Sequence, residues 1–273
     1  MTTRFGAFDA ALALPALVFA LAFFLVPMGV LAVVGGSGED GLGAYLTVIT
    51  NPRHMRVMLA TLLLSALVTL ATLAVSTTVG LFLSRNAFPG RAVLVSVLTL
   101  PLAFPGVVVG FLVIILGGRQ GVINTLSVSL GAGRMVFAYS MTGLFLGYLY
   151  FSIPRVLLTV MAGIEKLDRA TVEAARSLGA SPLQILRDVT LPALKPALIA
   201  SGAVAFATAM GAFGTAFTLA TDIDVLPMLI YTEFTLRANF ATAAALSIVL
   251  GLVTWAVLAV ARSLAGTTVA AAG

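Results

Sequence analysis

The chain contains six long stretches in which no Asp, Glu, Lys, Arg or His occurs. They cover residues 10–38, 57–84, 92–118, 135–154, 196–221 and 238–261. Each has at least the ~20 residues that an α-helix needs to cross a hydrocarbon layer of about 30 Å. Backbone hydrogen bonds must be closed within the segment there, so helices are expected. We therefore predict an all-α membrane protein, a single transmembrane domain over 1–273, with six spans at about 11–34, 55–84, 93–117, 135–160, 196–220 and 239–262.

The overall composition indicates that lipid is the main solvent of this chain. Charged residues make up 9% of its 273 residues and the mean hydropathy is +1.14, whereas a soluble domain carries roughly 25% charged residues. The absence of Cys excludes disulfides and thiolate metal sites. The net charge of +5 comes without a basic run interleaved with aromatic residues, so no nucleic acid is expected as a partner.

The Lys and Arg residues are distributed unequally between the two sides of the predicted membrane domain. Ten fall on one side: Arg4, Arg85, Arg91, Arg155, Lys166, Arg169, Arg176, Arg187, Lys195 and Arg262. Five fall on the other: Arg53, Arg56, Arg119, Arg134 and Arg237. Because cytoplasmic loops carry the excess of Lys and Arg, both termini are predicted to lie in the cytoplasm.

Several kinds of reactive site are missing from the sequence. The uncharged runs lack the midplane charge that an ion-coupled transporter normally keeps. No G-x-x-x-x-G-K-[ST] motif occurs, so the chain has no Walker-type nucleotide site of its own. His54, the only His, is expected to be solvated in an external loop. We therefore predict no catalytic residues, no metal site and no enzyme activity.

The segments predicted to be external carry three further features. Asn51-Pro52 is a good helix start, with Asn as N-cap and Pro in the first turn. Residues 119–134 have apolar positions at helical spacing, which fits either a short amphipathic helix or an ordinary loop. Three acids could contact a binding protein, attract a cation or simply be solvated. These acids are Asp222, Asp224 and Glu233.

Gly and Pro interrupt the third and fifth predicted spans. Pro removes a backbone donor and Gly lets a neighbouring backbone approach closely, so these stretches serve either tight helix packing or the lining of a pathway. The lumen is expected to offer hydroxyls, backbone and aromatic rings. The candidate pathway residues are Pro105, Gly106, Tyr148, Thr208, Gly211, Phe213, Gly214 and Thr215, with Tyr150 as a further candidate.

The longest connection, a coupling loop over 161–195, is polar and carries both signs of charge. Asp168 is a plausible N-cap, and Gly179 stands where a C′ glycine would end the first helix. Ser181-Pro182 then starts a second helix over 182–190, which Leu191-Pro192 is expected to stop. The loop is thus predicted to form a compact exposed knob of two short helices.

The knob carries a resemblance. Glu173-Ala174-Ala175, Gly179, Val189 and Leu191-Pro192 stand at the spacing of the cytoplasmic signature of membrane subunits of ATP-binding-cassette (ABC) importers, with Val189 replacing the usual Ile. In that family the knob docks into a groove of a separate ATPase subunit. The resemblance implies that role here for Glu173, Ala174, Ala175, Arg176, Gly179, Ala180, Val189, Leu191 and Pro192.

The resemblance extends over roughly 57–262. TLPLAFPGVVVG and AFATAMGAFGTAFTLA look like the polyamine, sulfate/molybdate, iron(III) and phosphonate branch of type I permeases, and VLPMLIYTEFTLRANFATAAALS looks most like its polyamine and aminophosphonate side. Ala212-Phe213-Gly214 departs from the Glu-Phe-Gly common in oxyanion permeases, which lowers the weight of sulfate or molybdate.

The resemblance implies half of the translocation pathway of a bacterial inner-membrane importer. The expected partners are an ABC ATPase dimer that binds ATP and Mg, a second and non-identical permease, an external substrate-binding protein and the lipid bilayer. The expected substrate is a polyamine or aminophosphonate, with iron(III), sulfate, molybdate or another oxyanion as alternatives. An ATPase-independent secondary transporter is the remote alternative.

Overall fold

The structure is a computed structural model that describes residues 7–38, 41–219 and 224–265, apart from the side chains of residues 7–11, 169 and 265. Arg4 and Asp222, which enter the sequence analysis, lie outside the described residues. Throughout the described ranges the regular secondary structure is helical and no strand occurs. The predicted all-α class is therefore confirmed.

The helices follow one another with short connections. The α-helices are Ala7–Ala20, Val26–Gly35, Gly43–Thr50, Pro52–Arg85, Arg91–Thr99, Gly106–Gly117, Val122–Ser129, Met141–Glu165, Arg169–Ser177, Pro182–Ile185, Leu191–Met210, Gly214–Leu219, Leu226–Tyr231 and Phe240–Ala265. A 3₁₀ turn covers Leu100–Ala103, and π turns cover Leu21–Leu25, Leu186–Thr190 and Thr232–Leu236.

Six helical stretches in the described part of the chain are long and apolar enough to cross a membrane. We call them the first to sixth spans: Leu12–Gly35, Pro52–Arg85, Gly106–Ser129, Met141–Glu165, Pro182–Met210 and Phe240–Leu264. The predicted number is confirmed. The first, second and sixth bounds agree with the sequence prediction to within three residues.

The helix start at Asn51-Pro52 is confirmed. The Asn51 Oδ1 atom accepts hydrogen bonds from the backbone N–H groups of Arg53 at 2.9 Å and His54 at 3.4 Å. Of the two possibilities for 119–134, the structure has the short helix Val122–Ser129. Its Asn124 side chain is buried and ties the turn before the helix to the segment after it, through Arg119 O and Met135 N.

The bounds of the other three spans differ from the prediction. Pro101 and Pro105 end an apolar helix at Ala103, so the predicted helix 93–117 is broken before Gly106. The fourth span begins at Met141 instead of 135, because Ser140 caps it by accepting from Gly143 N. The fifth span begins at Pro182 instead of 196.

The predicted stop at Leu191-Pro192 is wrong. The short helix from Pro182 continues through the π turn Leu186–Thr190 into Leu191–Met210. A π turn bonds residues five apart and widens the helix locally, so the Pro192 ring and its missing N–H are accommodated at the start of the next helical segment.

Backbone contacts divide the chain into two compact units. One comprises Met1–Arg56 with Leu229–Leu252, and the other comprises Val57–Met228 with Val253–Gly273. Residues of the second, third, fourth and fifth spans form the core of the larger unit, including the buried side chains of Leu64, Val113, Leu144, Tyr148 and Ala209. Every residue of the coupling loop and every candidate pathway residue belongs to this unit.

Glycines bring helices of the larger unit into close contact. A Cβ on Gly147 would lie 2.8 Å from Thr215 Cγ2, and one on Gly110 would lie 2.6 Å from Thr218 Cβ. Both distances are too short for any side chain, so these positions require Gly while the helices keep this spacing.

In the smaller unit the first span exposes apolar side chains along its length, among them Leu12, Phe23 and Val33. In a membrane protein such a surface is satisfied by lipid or by another apolar chain. Tyr45 fastens the helix Gly43–Thr50 to this span, since its hydroxyl donates to Ala32 O at 2.6 Å.

Candidate functional site

Both ends of the first helix of the knob are capped by residues close to them in the sequence. The Asp168 carboxylate accepts from Ala170 N at 2.9 Å and caps the helix Arg169–Ser177. At the other end, Gly179 has a φ of 81°. Gly179 N donates to Arg176 O at 2.9 Å and Ala180 N donates to Ala175 O at 3.1 Å, which is a Schellman motif. Both predicted ends of this helix are confirmed.

The second half of the knob starts with a capping box. The Ser181 hydroxyl accepts from Gln184 N at 3.3 Å, and Gln184 Oε1 accepts from Ser181 N at 2.7 Å. Pro182 occupies the first turn, where its missing N–H costs nothing. This helix is the first part of the fifth span, so the second half of the knob and the rest of that span form one continuous helix through the π turn Leu186–Thr190.

The knob also contacts the end of the second span. The Arg85 guanidinium donates to Thr190 Oγ1 at 3.1 Å. A cavity of about 380 Å³ lies beside it and is lined by Ser84 and Arg85 from that span and by Asp168, Glu173 and Arg176 from the knob, among others.

The nine candidate coupling residues lie on the knob or just after it, and their side chains differ in solvent exposure. Glu173, Ala174, Arg176, Gly179, Leu191 and Pro192 are exposed, whereas Ala175, Ala180 and Val189 are half-buried. Two large apolar side chains stand out from the knob: Leu178 is 88% exposed and Leu183 is 73% exposed. Leu183 was missed at the sequence level. Leu183 could have been recognised in the sequence as an apolar residue in the first turn of a capped helix that was predicted to be exposed.

A polar cavity of about 310 Å³ lies among the third, fourth and fifth spans and the segment that follows the fifth span. Its lining is Gly106, Tyr148, Phe151, Ser152, Arg155, Thr208, Ala209, Gly211, Ala212, Gly214 and Thr215. Six of the eight candidate pathway residues are therefore brought together. Pro105, Phe213 and Tyr150 are not among the lining residues; Phe213 packs against Phe217 at 5.3 Å between ring centroids.

Two helix breaks meet at this cavity, one before Gly106 and one at residues 211–213. The Tyr148 hydroxyl donates to the backbone oxygen of Ala212 in the second break. The Thr215 hydroxyl donates to Gly106 O at 2.8 Å and so links the two breaks. Backbone that leaves the helix at membrane depth is tolerated where protein groups satisfy it or where it lines a cavity. Tyr148 and Thr215 supply that satisfaction here.

Arg155 was missed as a lining residue. Arg155 was counted among the cytoplasmic Lys and Arg residues near the end of the predicted span 135–160, but it lies well inside the fourth span and lines the cavity. Its Nη1 donates to Thr208 Oγ1 at 3.3 Å and its guanidinium carbon lies 4.7 Å from the centre of the Phe151 ring. The lining of this cavity therefore contains a charged side chain in addition to the hydroxyls, backbone and rings that were expected of the lumen. The fourth span continues to Glu165, so Arg155 lies ten residues before its end.

Glu233 and His54, both predicted on the external side, are buried, which contradicts the expectation of a solvated His54. Glu233 is 3% exposed and pairs with Arg237, with 2.8 Å between Oε1 and Nη1, so it is not a solvated loop acid. His54 is 7% exposed in the first turn of the second span. Asp224 is exposed, as expected. Across the described residues, no three His, Cys, Asp or Glu side chains are grouped for a metal ion.

Comparison with known proteins gives a consistent result. A family described as "binding-protein-dependent transport system inner membrane component" matches residues 76–267. A putative 2-aminoethylphosphonate transport system permease protein, PhnU of Salmonella typhimurium, is 31% identical over 245 residues, covering 87% of this chain and 85% of the relative. The molybdenum transport system permease protein ModB of Escherichia coli is 33% identical over 189 residues, covering 68% and 81%.

The fold is also found among solved structures. The bacterial alginate ABC transporter, in a crystal structure with an alginate pentasaccharide-bound periplasmic protein, has a chain that superposes with a TM-score of 0.79. The identity is 20%, and the match covers 94% of this chain and 93% of the other. The predicted type I permease fold is therefore confirmed. The chain belongs to the family of membrane-spanning permease subunits of binding-protein-dependent ABC importers, which are transport subunits and not ATPases.

Proposed function

We propose that this chain forms half of a solute pathway through the bacterial inner membrane and is driven by a separate ABC ATPase that docks on the knob. The observation that carries the proposal is the continuity of the knob with the fifth span. The exposed part of the knob presents Glu173, Ala174 and Gly179 beside the apolar side chains of Leu178 and Leu183. Exposed Leu side chains beside small residues form a surface that a partner can cover closely.

The nucleotide chemistry belongs to the partner in this proposal. The ATPase dimer binds ATP and Mg, closes, and displaces the knob, which moves the fifth span with it. Because Arg85 joins the second span to the knob at Thr190, that span follows the same displacement. The cavity at the two helix breaks then alternates between the two sides of the membrane.

Further partners complete the pathway. A second, non-identical permease subunit closes the open side of the cavity, since one six-span chain does not enclose a pathway by itself. A binding protein delivers the solute from outside, in keeping with the family description. Both termini and the knob face the cytoplasm, which agrees with the excess of Lys and Arg on that side, nine to five once Arg155 is counted within the fourth span.

The substrate in this proposal is a small polar solute, with an aminophosphonate as first candidate. The relatives named for 2-aminoethylphosphonate and molybdenum transport support this class. Polyamines, iron(III), sulfate, molybdate and other oxyanions are the remaining candidates.

Glu173→Lys tests the docking. We expect it to abolish ATP-dependent uptake and to prevent co-purification of the ATPase, while the chain still inserts into the membrane. The matched control is Asp188→Lys, which makes the same charge change in the same loop, where Asp188 is exposed and only 3.8 Å from the exposed Arg187. Uptake that survives loss of the ATPase would replace this proposal with a secondary transporter.

A further inference from the structure

We propose that Arg155 makes the polar cavity an anion-recognising site, so that the transported solute carries an oxyanion group such as a phosphonate or a tetrahedral metal oxyanion. A polycation such as a polyamine is excluded. This inference rests on the proposed function, because it assumes that the cavity is part of the pathway. The positive charge of Arg155 narrows the expected substrate from small polar solutes in general to solutes that carry an oxyanion group.

Arg155 lies far from both ends of the fourth span. It lies 14 residues after Met141 and 10 before Glu165, which at 1.5 Å per residue puts it about 21 Å and about 15 Å from the two ends of the fourth span. A charged side chain this far inside a membrane helix is costly and is usually retained for a substrate pathway.

The side chain that Arg155 contacts by a hydrogen bond is that of Thr208. The Arg155 guanidinium has five N–H donors, and the structure shows one of them bonded to Thr208 Oγ1. The Thr208 hydroxyl is itself oriented, since it donates to Val204 O at 2.8 Å. The ion pairs found in the described part of the chain involve other residues. Among the described residues that line the cavity, none is acidic.

An aromatic ring and a hydroxyl line the cavity together with the Arg155 guanidinium. The Phe151 ring lies against the guanidinium, 4.7 Å from its central carbon, and a guanidinium presents its donors as a planar fork. Ser152 adds a hydroxyl to the same lining. The volume of about 310 Å³ is at the small end of ligand cavities and suits a solute of a few non-hydrogen atoms.

The chemistry that fits this arrangement is that of an oxyanion. A guanidinium fork donates two parallel hydrogen bonds to phosphonate or carboxylate oxygens. The same charge repels a polyamine, and no acidic lining residue offsets the repulsion. An aminophosphonate is compatible, because its phosphonate meets Arg155 while its amine faces the hydroxyls.

The cavity charge can be measured without knowing the substrate. The chain has no Cys, so Gly211→Cys places a single thiol in the cavity lining. Gly211 has a φ of −96° and a Cβ there would meet only Ala207 O at 3.7 Å, so the substitution is tolerated by the backbone. The probes are an anionic and a cationic methanethiosulfonate of similar size, applied to the full-length chain in lipid nanodiscs.

We expect the ratio of anionic to cationic modification rates to fall about tenfold when Arg155→Gln is added, because a charged cleft concentrates counter-ions by that order. Arg155→Lys should keep the ratio, since it keeps the charge. Arg134→Gln is the matched control, an Arg in an exposed segment outside the cavity, and should leave the ratio unchanged.

Protection identifies the solute class in the same preparation. Millimolar 2-aminoethylphosphonate or molybdate should slow the reaction of the anionic reagent with the introduced thiol at least about threefold, and spermidine should not. A ratio that Arg155→Gln leaves unchanged, or protection by spermidine alone, would overturn the inference. These measurements need no ATPase, so they are independent of the Glu173→Lys test.

Discussion

The knob and the polar cavity are two candidate sites in the same compact unit, and they are built in different ways. The capping bonds that shape the knob join residues two to five apart, from the Asp168 cap to the Schellman motif at Gly179. The bonds that shape the cavity join residues 53 to 109 apart, such as Arg155 to Thr208 and Thr215 to Gly106. The knob is thus a local structure, and the cavity depends on the assembly of three helical segments.

This contrast has consequences for perturbation. A change in the knob should unfold the knob alone and disturb ATPase docking, while a change at the cavity should lower the stability of the whole helical assembly. Three substitutions test the contrast, in order of decreasing expected effect.

The largest effect is expected for Gly147→Leu. The new side chain would start 2.8 Å from Thr215 Cγ2 and 3.4 Å from Val113 Cγ2, so the fourth span and the segment after the fifth must separate. Overpacking of this kind costs about 3 kcal/mol of unfolding free energy. Titration with SDS in mixed micelles measures the loss. Gly29→Leu in the first span is the control, because a Cβ there meets nothing within 4 Å; equal losses in the two variants would contradict the contrast.

An intermediate effect is expected for Tyr148→Phe. Loss of the hydroxyl leaves the Ala212 carbonyl in the break without its donor, at a cost of about 2 kcal/mol. The same SDS titration should show the loss, together with faster hydrogen exchange around residues 211–213. Tyr150→Phe, two residues along and outside the cavity lining, should be close to neutral. If the two Tyr variants were equally stable, the bond to Ala212 would have no structural role.

The smallest effect on the whole molecule is expected for Gly179→Ala. A φ of 81° is unfavourable for any residue with a Cβ and costs about 1 to 2 kcal/mol, although the space around Gly179 is open. We expect faster hydrogen exchange over 168–185 and weaker ATPase docking, with SDS unfolding of the spans unchanged. Gly211→Ala, at a φ of −96°, should leave exchange in the knob unaltered. A lowered unfolding midpoint of the spans would show that the knob is not a local structure.

The difference between local and long-range bonds also explains which features could be predicted from the sequence. Both ends of the helix Arg169–Ser177 were predicted, because Asp168 and Gly179 act on backbone groups within five residues. Leu191-Pro192 was interpreted wrongly, because Pro normally disfavours helix in the residue before it and the π turn that accommodates it leaves no mark in the residue pattern.

At the cavity, residue type alone indicated six lining residues but not their roles. Tyr148 and Thr215 were expected to offer hydroxyls to a lumen, whereas both hydroxyls bond backbone carbonyls. His54 was expected in water and is buried, and solvation, one of three possibilities left open for Glu233, does not hold for that residue, because loop assignments from charge do not show which side chains pack inward. Arg155 was counted with the cytoplasmic residues, whereas the fourth span continues ten residues beyond it to Glu165.

The sequence by itself determined the class of the protein, its six spans, its family and the shape of the first knob helix. Hydropathy, Gly, Pro and capping residues act over a few neighbours, so their consequences can be read along the chain. Only the tertiary structure decided that two helix breaks meet and that Arg155 stands at their cavity without an acidic neighbour in its lining. Those features depend on how segments more than 50 residues apart pack, and no local pattern specifies that packing.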